Sequence, residues 1–230
     1  MFFILFRLLS FSFALLYQDD GGRDSYNSDF QYKTIVLGSS TAEGAGASLL
    51  SNSWVFRLEQ ELKISNKASS VVNYGKSGYS TFHIMPTGTR YSNRPNPDVE
   101  RNITKALSNY PNMIIINMPS NDAAYGYSNE EQLRNYRLLI QLIKKRKIQY
   151  LLISPQPRNF KNNEQRKQQN ELFQLMKKEF SPNFVDVWSI LSSEDFSLKS
   201  TFDSGDGIHL NDQGHDYIFQ QVFAKINEIK

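Results

Sequence analysis

MIIINM, residues 113–118, is apolar at almost every position, rich in β-branched side chains, and ends at Pro119-Ser120-Asn121-Asp122. A strand with one wet face alternates apolar and polar residues, so a run apolar on both faces fits a strand covered by helices on each side. KTIVLG (33–38), SVVNY (70–74), QYLLIS (149–154) and FVDVW (184–188) read as four further short strands. Helical spacing fills the gaps between them. Trp54, Val55, Leu58 and Leu62 share a stripe within 53–62, and Asp98 is placed to cap a helix running to about Asn109. Ser128 and Glu131 form a capping box ahead of Leu133, Tyr136, Ile140 and Ile143. The Lys144-Lys145-Arg146-Lys147 run that follows complements the helix dipole. Segment 164–179 turns Leu172, Phe173 and Met176 inward, and 211–229 carries Ile218, Val222, Ile226 and Ile229 on one stripe. Residues 79–97, with Pro86, Pro95 and Pro97, read as loop. Strands separated by helices pair in parallel through right-handed crossovers. The expected fold is α/β: a three-layer α/β/α sandwich of about five parallel strands, doubly wound.

Composition narrows the chemistry. The 230 residues carry 26 Lys+Arg against 23 Asp+Glu, a net charge of +3 spread along the chain, without the basic stripe of a nucleic-acid protein. Cysteine is absent, which excludes disulfides, a thiol nucleophile and thiolate metal sites. Imidazole chemistry must use His83, His209 or His215. Residues 1–17 (MFFILFRLLSFSFALLY) hold 14 apolar residues but are short and broken by Arg7. They read as an export signal or a short N-terminal anchor, with 18–31 a polar linker and the folded domain spanning 32–230. Any membrane contact would run through that first segment.

In an open parallel sheet, ligands sit beyond the C-terminal ends of the strands. Those ends carry Gly38-Ser39-Ser40-Thr41, Gly75-Lys76-Ser77-Gly78, Pro119-Ser120-Asn121-Asp122, Gln156-Pro157-Arg158 and Asp203 to His209. A serine hydroxyl needs a neighbouring base before it attacks. Ser40 is the candidate nucleophile and His209 the candidate base. Asp206, three residues earlier, can reach the imidazole within one tight turn and fix its tautomer. The backbone N–H groups of Ser40 and Gly78 and the side-chain amide of Asn121 are candidate oxyanion-hole donors.

These residues resemble the SGNH, or GDSL-type, hydrolase family, whose blocks are a serine near the N-terminus, a glycine, an asparagine in an N-D pair and a D-x-x-H near the C-terminus. Here they match Ser40, Gly78, Asn121 and Asp206/His209. Longer stretches, GSSTAEGAG (38–46), MPTG (85–88), PSNDAAYGYS (119–128), QPRNF (156–160) and SGDGIHLNDQGH (204–215), are similar to a bacterial subgroup. The resemblance implies a flavodoxin-like sandwich and a serine esterase working without metal or other cofactor, on substrates ranging from acylated sugars to lipids and thioesters. Two departures stand out. The usual Gly-Asp-Ser is Gly38-Ser39-Ser40, which makes Ser39 a second candidate nucleophile, and the usual Gly-x-Asn-Asp is Pro119-Ser120-Asn121-Asp122.

Tyr79, His83, Tyr125 and Arg158 are candidate crevice-lining residues, with His83 an alternative base and His215 a structural histidine. Export and polar crevice loops favour a carbohydrate or other small-molecule ester as substrate. The readings left open are an acyltransferase using the same serine, a flavodoxin-like phosphate-binding module and a sugar-binding relative without activity.

Overall fold

The computed structural model describes residues 32–66 and 68–229; segment 1–17 and the linker 18–31 lie outside them. Its strands are β1 Lys33–Gly38, β2 Ser70–Asn73, β3 Met113–Asn117, β4 Gln149–Ile153 and β5 Phe184–Val185. Its helices are α1 Ser40–Glu43, α2 Trp54–Ser65, α3 Ile103–Ser108, α4 Asn121–Ala124, α5 Asn129–Lys145, α6 Asn163–Phe180, α7 Trp188–Leu191 and α8 Asp212–Ile229. All strand pairs are parallel, in the order β2-β1-β3-β4-β5. The chain steps from β1 to one side and returns to β3 on the other. Adjacent connections therefore leave in opposite directions between β1 and β3, and a crevice opens there.

Strand alternation divides the core into two layers. Ile35, Leu37, Ile114, Ile116 and Leu152 pack with Ile103 of α3, Tyr136 and Ile140 of α5, and Leu172 and Phe173 of α6. Val36, Met113, Ile115, Leu151 and Ile153 face the other way, onto Trp54, Leu58 and Leu62 of α2 and Ile218, Val222 and Ile226 of α8. Helices on both faces explain why β3 is buried at every residue. The capping box of α5 forms: Glu131 N–H donates to Ser128 Oγ at 3.2 Å, and Ser128 N–H donates to Glu131 Oε2 at 3.0 Å.

Two elements differ from expectation. The helix expected from Asp98 starts at Ile103, capped by Asn102, whose side chain accepts the Lys105 N–H at 3.0 Å. Asp98 is occupied elsewhere: its carboxylate accepts the Tyr79 hydroxyl and the Glu100 N–H. The fifth strand, expected over 184–188, stops at Val185. The Asp186 carboxylate accepts the Ser189 N–H at 3.0 Å, and Ser154 Oγ accepts the N–H groups of Val187 and Trp188, which turns the chain into α7. Among the described residues no helix is long and apolar enough to cross a membrane.

Candidate active site

Gly38 ends β1, and the chain turns at once into α1, which brings Ser40 to the rim of the sheet beside the end of β3. Ser40 Oγ lies 3.1 Å from His209 Nε2, and His209 Nδ1 lies 2.6 Å from Asp206 Oδ2. Because a carboxylate only accepts, Nδ1 carries the proton and the Nε2 lone pair faces the serine hydroxyl. Ser40 is buried, while the side chains of His209 and Asp206, 25% and 47% exposed, stand at an open rim.

The turn bearing His209 is built by its own aspartates. Asp203 Oδ1 accepts the N–H groups of Gly205 and Gly207, and Asp206 Oδ1 accepts those of Ile208 and His209 at 2.8 Å. Burial works against ionising Asp206, but these backbone bonds and the imidazole outweigh it and hold the carboxyl at about 2. Glycine is required at position 46, where φ is +91° and a Cβ would lie 2.2 Å from the Leu210 carbonyl oxygen and 2.8 Å from His209 Cβ. The loop after Ser40 thus backs directly onto the base.

The candidate oxyanion donors come from three neighbouring strand ends. The Ser40 and Gly78 N–H groups have no acceptor among the described residues. Asn121 gives one amide N–H to the Tyr79 carbonyl at 2.9 Å, which leaves its second free and joins the β3 end to the segment after β2. Tyr125, 51% exposed, donates its hydroxyl to the Gly78 carbonyl at 2.9 Å. Asp122 fastens the same two segments from beneath, accepting the N–H of Thr81 at 2.9 Å and its hydroxyl at 2.6 Å. Burial pushes the Asp122 carboxyl up to about 6 against the pull of those bonds.

Ser39 and Tyr79, read from the sequence as a second candidate nucleophile and a candidate crevice-lining residue, are both buried. Tyr79 is buried, stacks on His83 with ring centroids 4.6 Å apart, and donates to Asp98. His83 Nδ1 accepts the Ser80 N–H at 3.0 Å, and burial lowers its pKa. His83 lies in a single 3₁₀ turn, Thr81–Ile84, just after Tyr79, and makes no hydrogen bond to Ser40 among the described residues. Ser39 is fully buried and its hydroxyl has no hydrogen-bond partner among the described residues, so the base reaches only Ser40. His215 is buried; its Nε2 donates to the Ala45 carbonyl at 3.0 Å and its Nδ1 accepts the Trp54 N–H, holding the loop behind Ser40. Arg158 stands at the end of β4, half-buried, over the Phe160 ring.

One residue that motif reading passed over joins both halves of the site. Gln156, buried after β4, accepts the Thr41 hydroxyl at 3.0 Å and donates to the Ile208 carbonyl at 2.7 Å. It therefore grips the neighbour of Ser40 and the neighbour of His209 with one amide. Its signal was its presence in the 156–160 stretch, but a glutamine there carries no periodicity that would reveal its partners. Among the described residues no group of three His, Cys, Asp or Glu side chains is arranged to hold a metal.

A model of the GDSL-like lipase/acylhydrolase family matches residues 36–217. No curated protein matches the sequence. Among solved structures, a GDSL-like lipase from Bacteroides thetaiotaomicron is similar at 17% identity and TM-score 0.62, covering 87% of this chain and 90% of its own. The psychrotrophic esterase EstA from Pseudoalteromonas sp. is similar at 17% identity and TM-score 0.60, covering 85% and 97%. A carbohydrate acetylesterase family member from Sinorhizobium meliloti is similar at 16% identity and TM-score 0.60, covering 86% and 98%. At such identities the likeness is one of fold.

Proposed function

The chain belongs to the GDSL-like lipase/acylhydrolase family, and from that premise we propose that it hydrolyses a carboxylic ester through Ser40, with His209 as base and Asp206 as orienter. The observation that carries the reading is the continuous hydrogen-bond path from Ser40 Oγ through the imidazole to Asp206, 3.1 Å and 2.6 Å long. Ser40 Oγ attacks the ester carbonyl carbon while its proton moves to Nε2. The carbonyl oxygen becomes an oxyanion facing the Ser40 and Gly78 N–H groups and the free amide N–H of Asn121. The imidazolium then protonates the departing alkoxide, leaving an acyl group on Ser40. Water then attacks the acyl carbon while giving a proton to Nε2, and the imidazolium returns that proton to Ser40 Oγ as the C–Oγ bond breaks, which frees the acid and restores the serine.

The carboxylate of Asp206 stays ionised through this cycle, because its bonds hold its pKa at about 2. It stabilises the positive imidazolium as it forms. An acylated carbohydrate is the proposed substrate class; the open polar rim and the similarity to a carbohydrate acetylesterase family member support it. The apolar segment 1–17 supports export, and fractionation of cells making the full chain tests that.

Hydrolysis of 4-nitrophenyl acetate by wild type and Ser40→Ala tests the reaction. The variant should lose at least about 10³-fold in kcat/KM with an unchanged circular dichroism spectrum. Full activity in the variant overturns the assignment.

A further inference from the structure

Five arginines are half-buried among the described residues: Arg57, Arg94, Arg101, Arg158 and Arg166. Four of them are bonded to protein acceptors. Arg57 meets Asp216, Arg94 meets Glu131, Arg101 meets the Gly75 carbonyl and Arg166 meets the Phe160 carbonyl. Arg158 alone among these five has no acceptor and no carboxylate within 4 Å among the described residues; its guanidinium carbon lies 5.1 Å from the Phe160 ring centroid. Guanidinium presents five N–H donors in a fixed fork suited to a carboxylate. Partly removing it from water without a partner costs free energy that a bound anion would return.

Its position tells which part of an ester it would meet. Along the rim, Arg158 follows Asn121 on the side away from Gly78 and Ser40, in the order of the strands that carry them. The next residue, Asn159, donates its N–H to the Gly207 carbonyl at 2.8 Å, so this segment lies against the turn that bears Asp206 and His209. Asp206 and Tyr125 are its electrostatic neighbours, and burial lowers its pKa. The oxyanion donors stand on the β2, β1 and β3 ends, while the leaving oxygen must lie beside His209. The Arg158 side of the crevice therefore faces the departing alcohol.

Resting on the hydrolytic reading above, we propose that Arg158 binds a carboxylate on the alcohol half of the substrate, so that the enzyme deacylates esters of hydroxylated carboxylic acids such as hexuronates. One guanidinium balances one charge. A phosphate dianion would leave a second charge facing Asp206, which favours the carboxylate.

The test is calorimetric titration of the full chain with a methyl hexuronoside and with its neutral methyl ester, using wild type, Arg158→Gln and Arg158→Lys. Wild type should bind the acid at least about tenfold more tightly than the ester. Arg158→Gln should bring that ratio near one, and Arg158→Lys should keep part of it. The O-acetylated forms of the same pair should show the same ratio in kcat/KM. No preference for the acid in wild type, which needs no variant to measure, overturns the proposal, as does a preference that survives in Arg158→Gln. The two readings fail separately. Arg158-dependent acid binding with no hydrolysis of 4-nitrophenyl acetate leaves the carboxylate contact of Arg158 standing and removes the hydrolytic reading with the deacylation built on it. Hydrolysis of 4-nitrophenyl acetate without an Arg158-dependent preference does the reverse.

Discussion

Replacing Gln156 with Leu should damage the site without touching any group proposed to react. Leu is similar in volume and cannot donate or accept. The buried Thr41 hydroxyl would lose its acceptor and the half-buried Ile208 carbonyl its donor, bonds of 3.0 Å and 2.7 Å. An unsatisfied buried polar group costs about 1–3 kcal/mol, and the partly wet carbonyl less, so stability should fall by about 2–4 kcal/mol. The catalytic effect is separate. Thr41 adjoins Ser40 and Ile208 adjoins His209, so the amide fixes the spacing of two residues 169 positions apart in sequence. A misplacement of about 1 Å costs up to about 10²-fold in rate. Urea unfolding and 4-nitrophenyl acetate kinetics, run where both proteins are folded, measure the two effects. The expected result is lower kcat with KM little changed, and non-additivity with Thr41→Val, which removes one of the same bonds. A stability loss with kcat within twofold of wild type would refute the positioning argument. No change in either quantity would refute the hydrogen bonds themselves.

Other perturbations separate neighbouring effects. Gly46→Ala sets a Cβ 2.2 Å from the Leu210 carbonyl oxygen and should both destabilise the fold and lower kcat, as unfolding and kinetic assays will report. Gly78→Ala, at φ +80° with only the Tyr125 hydroxyl at 3.6 Å, should cost just the backbone strain of about 1–2 kcal/mol, measured by urea unfolding. Asp122 titrates at about 6 in the fold against 3.8 for the unfolded chain, so the native state holds its proton more tightly. Its contribution to stability is full below about pH 4 and is lost as pH rises through about 6, by at most about 3 kcal/mol. Burial lowers His83 and His215, whose contributions run the opposite way but cancel when wild type is compared with Asp122→Asn. Wild type should lose stability relative to that variant between about pH 4 and pH 7; parallel unfolding curves would contradict this.

The parts of the fold legible in sequence are those fixed by local pattern. β1, β3 and β4 announce themselves as continuous apolar runs because helices cover both faces, and α5 through its capping box. The sequence pattern carries β5 past Val185 because Val187 and Trp188 look like strand residues. What ends it is Ser154, a hydroxyl on another strand, together with the side chain of Asp186. The pairing of Asp206 with His209 is a short-range fact that spacing reveals. The meeting of His209 with Ser40 follows only from the rule that strand ends share a rim. Nothing local shows that Tyr79 donates to Asp98, 19 residues away, or that its ring stacks on His83. Gln156 stayed hidden for the same reason, its partners lying 115 and 52 residues away.

A fluorophosphonate reacts with a serine only where a base has taken up its proton, and peptide mapping then locates the adduct. Wild-type protein should carry one label, on the peptide containing Ser40, and His209→Ala should carry none. A label on any other serine, or undiminished labelling of Ser40 once the imidazole is gone, would contradict the claim that this histidine activates this hydroxyl.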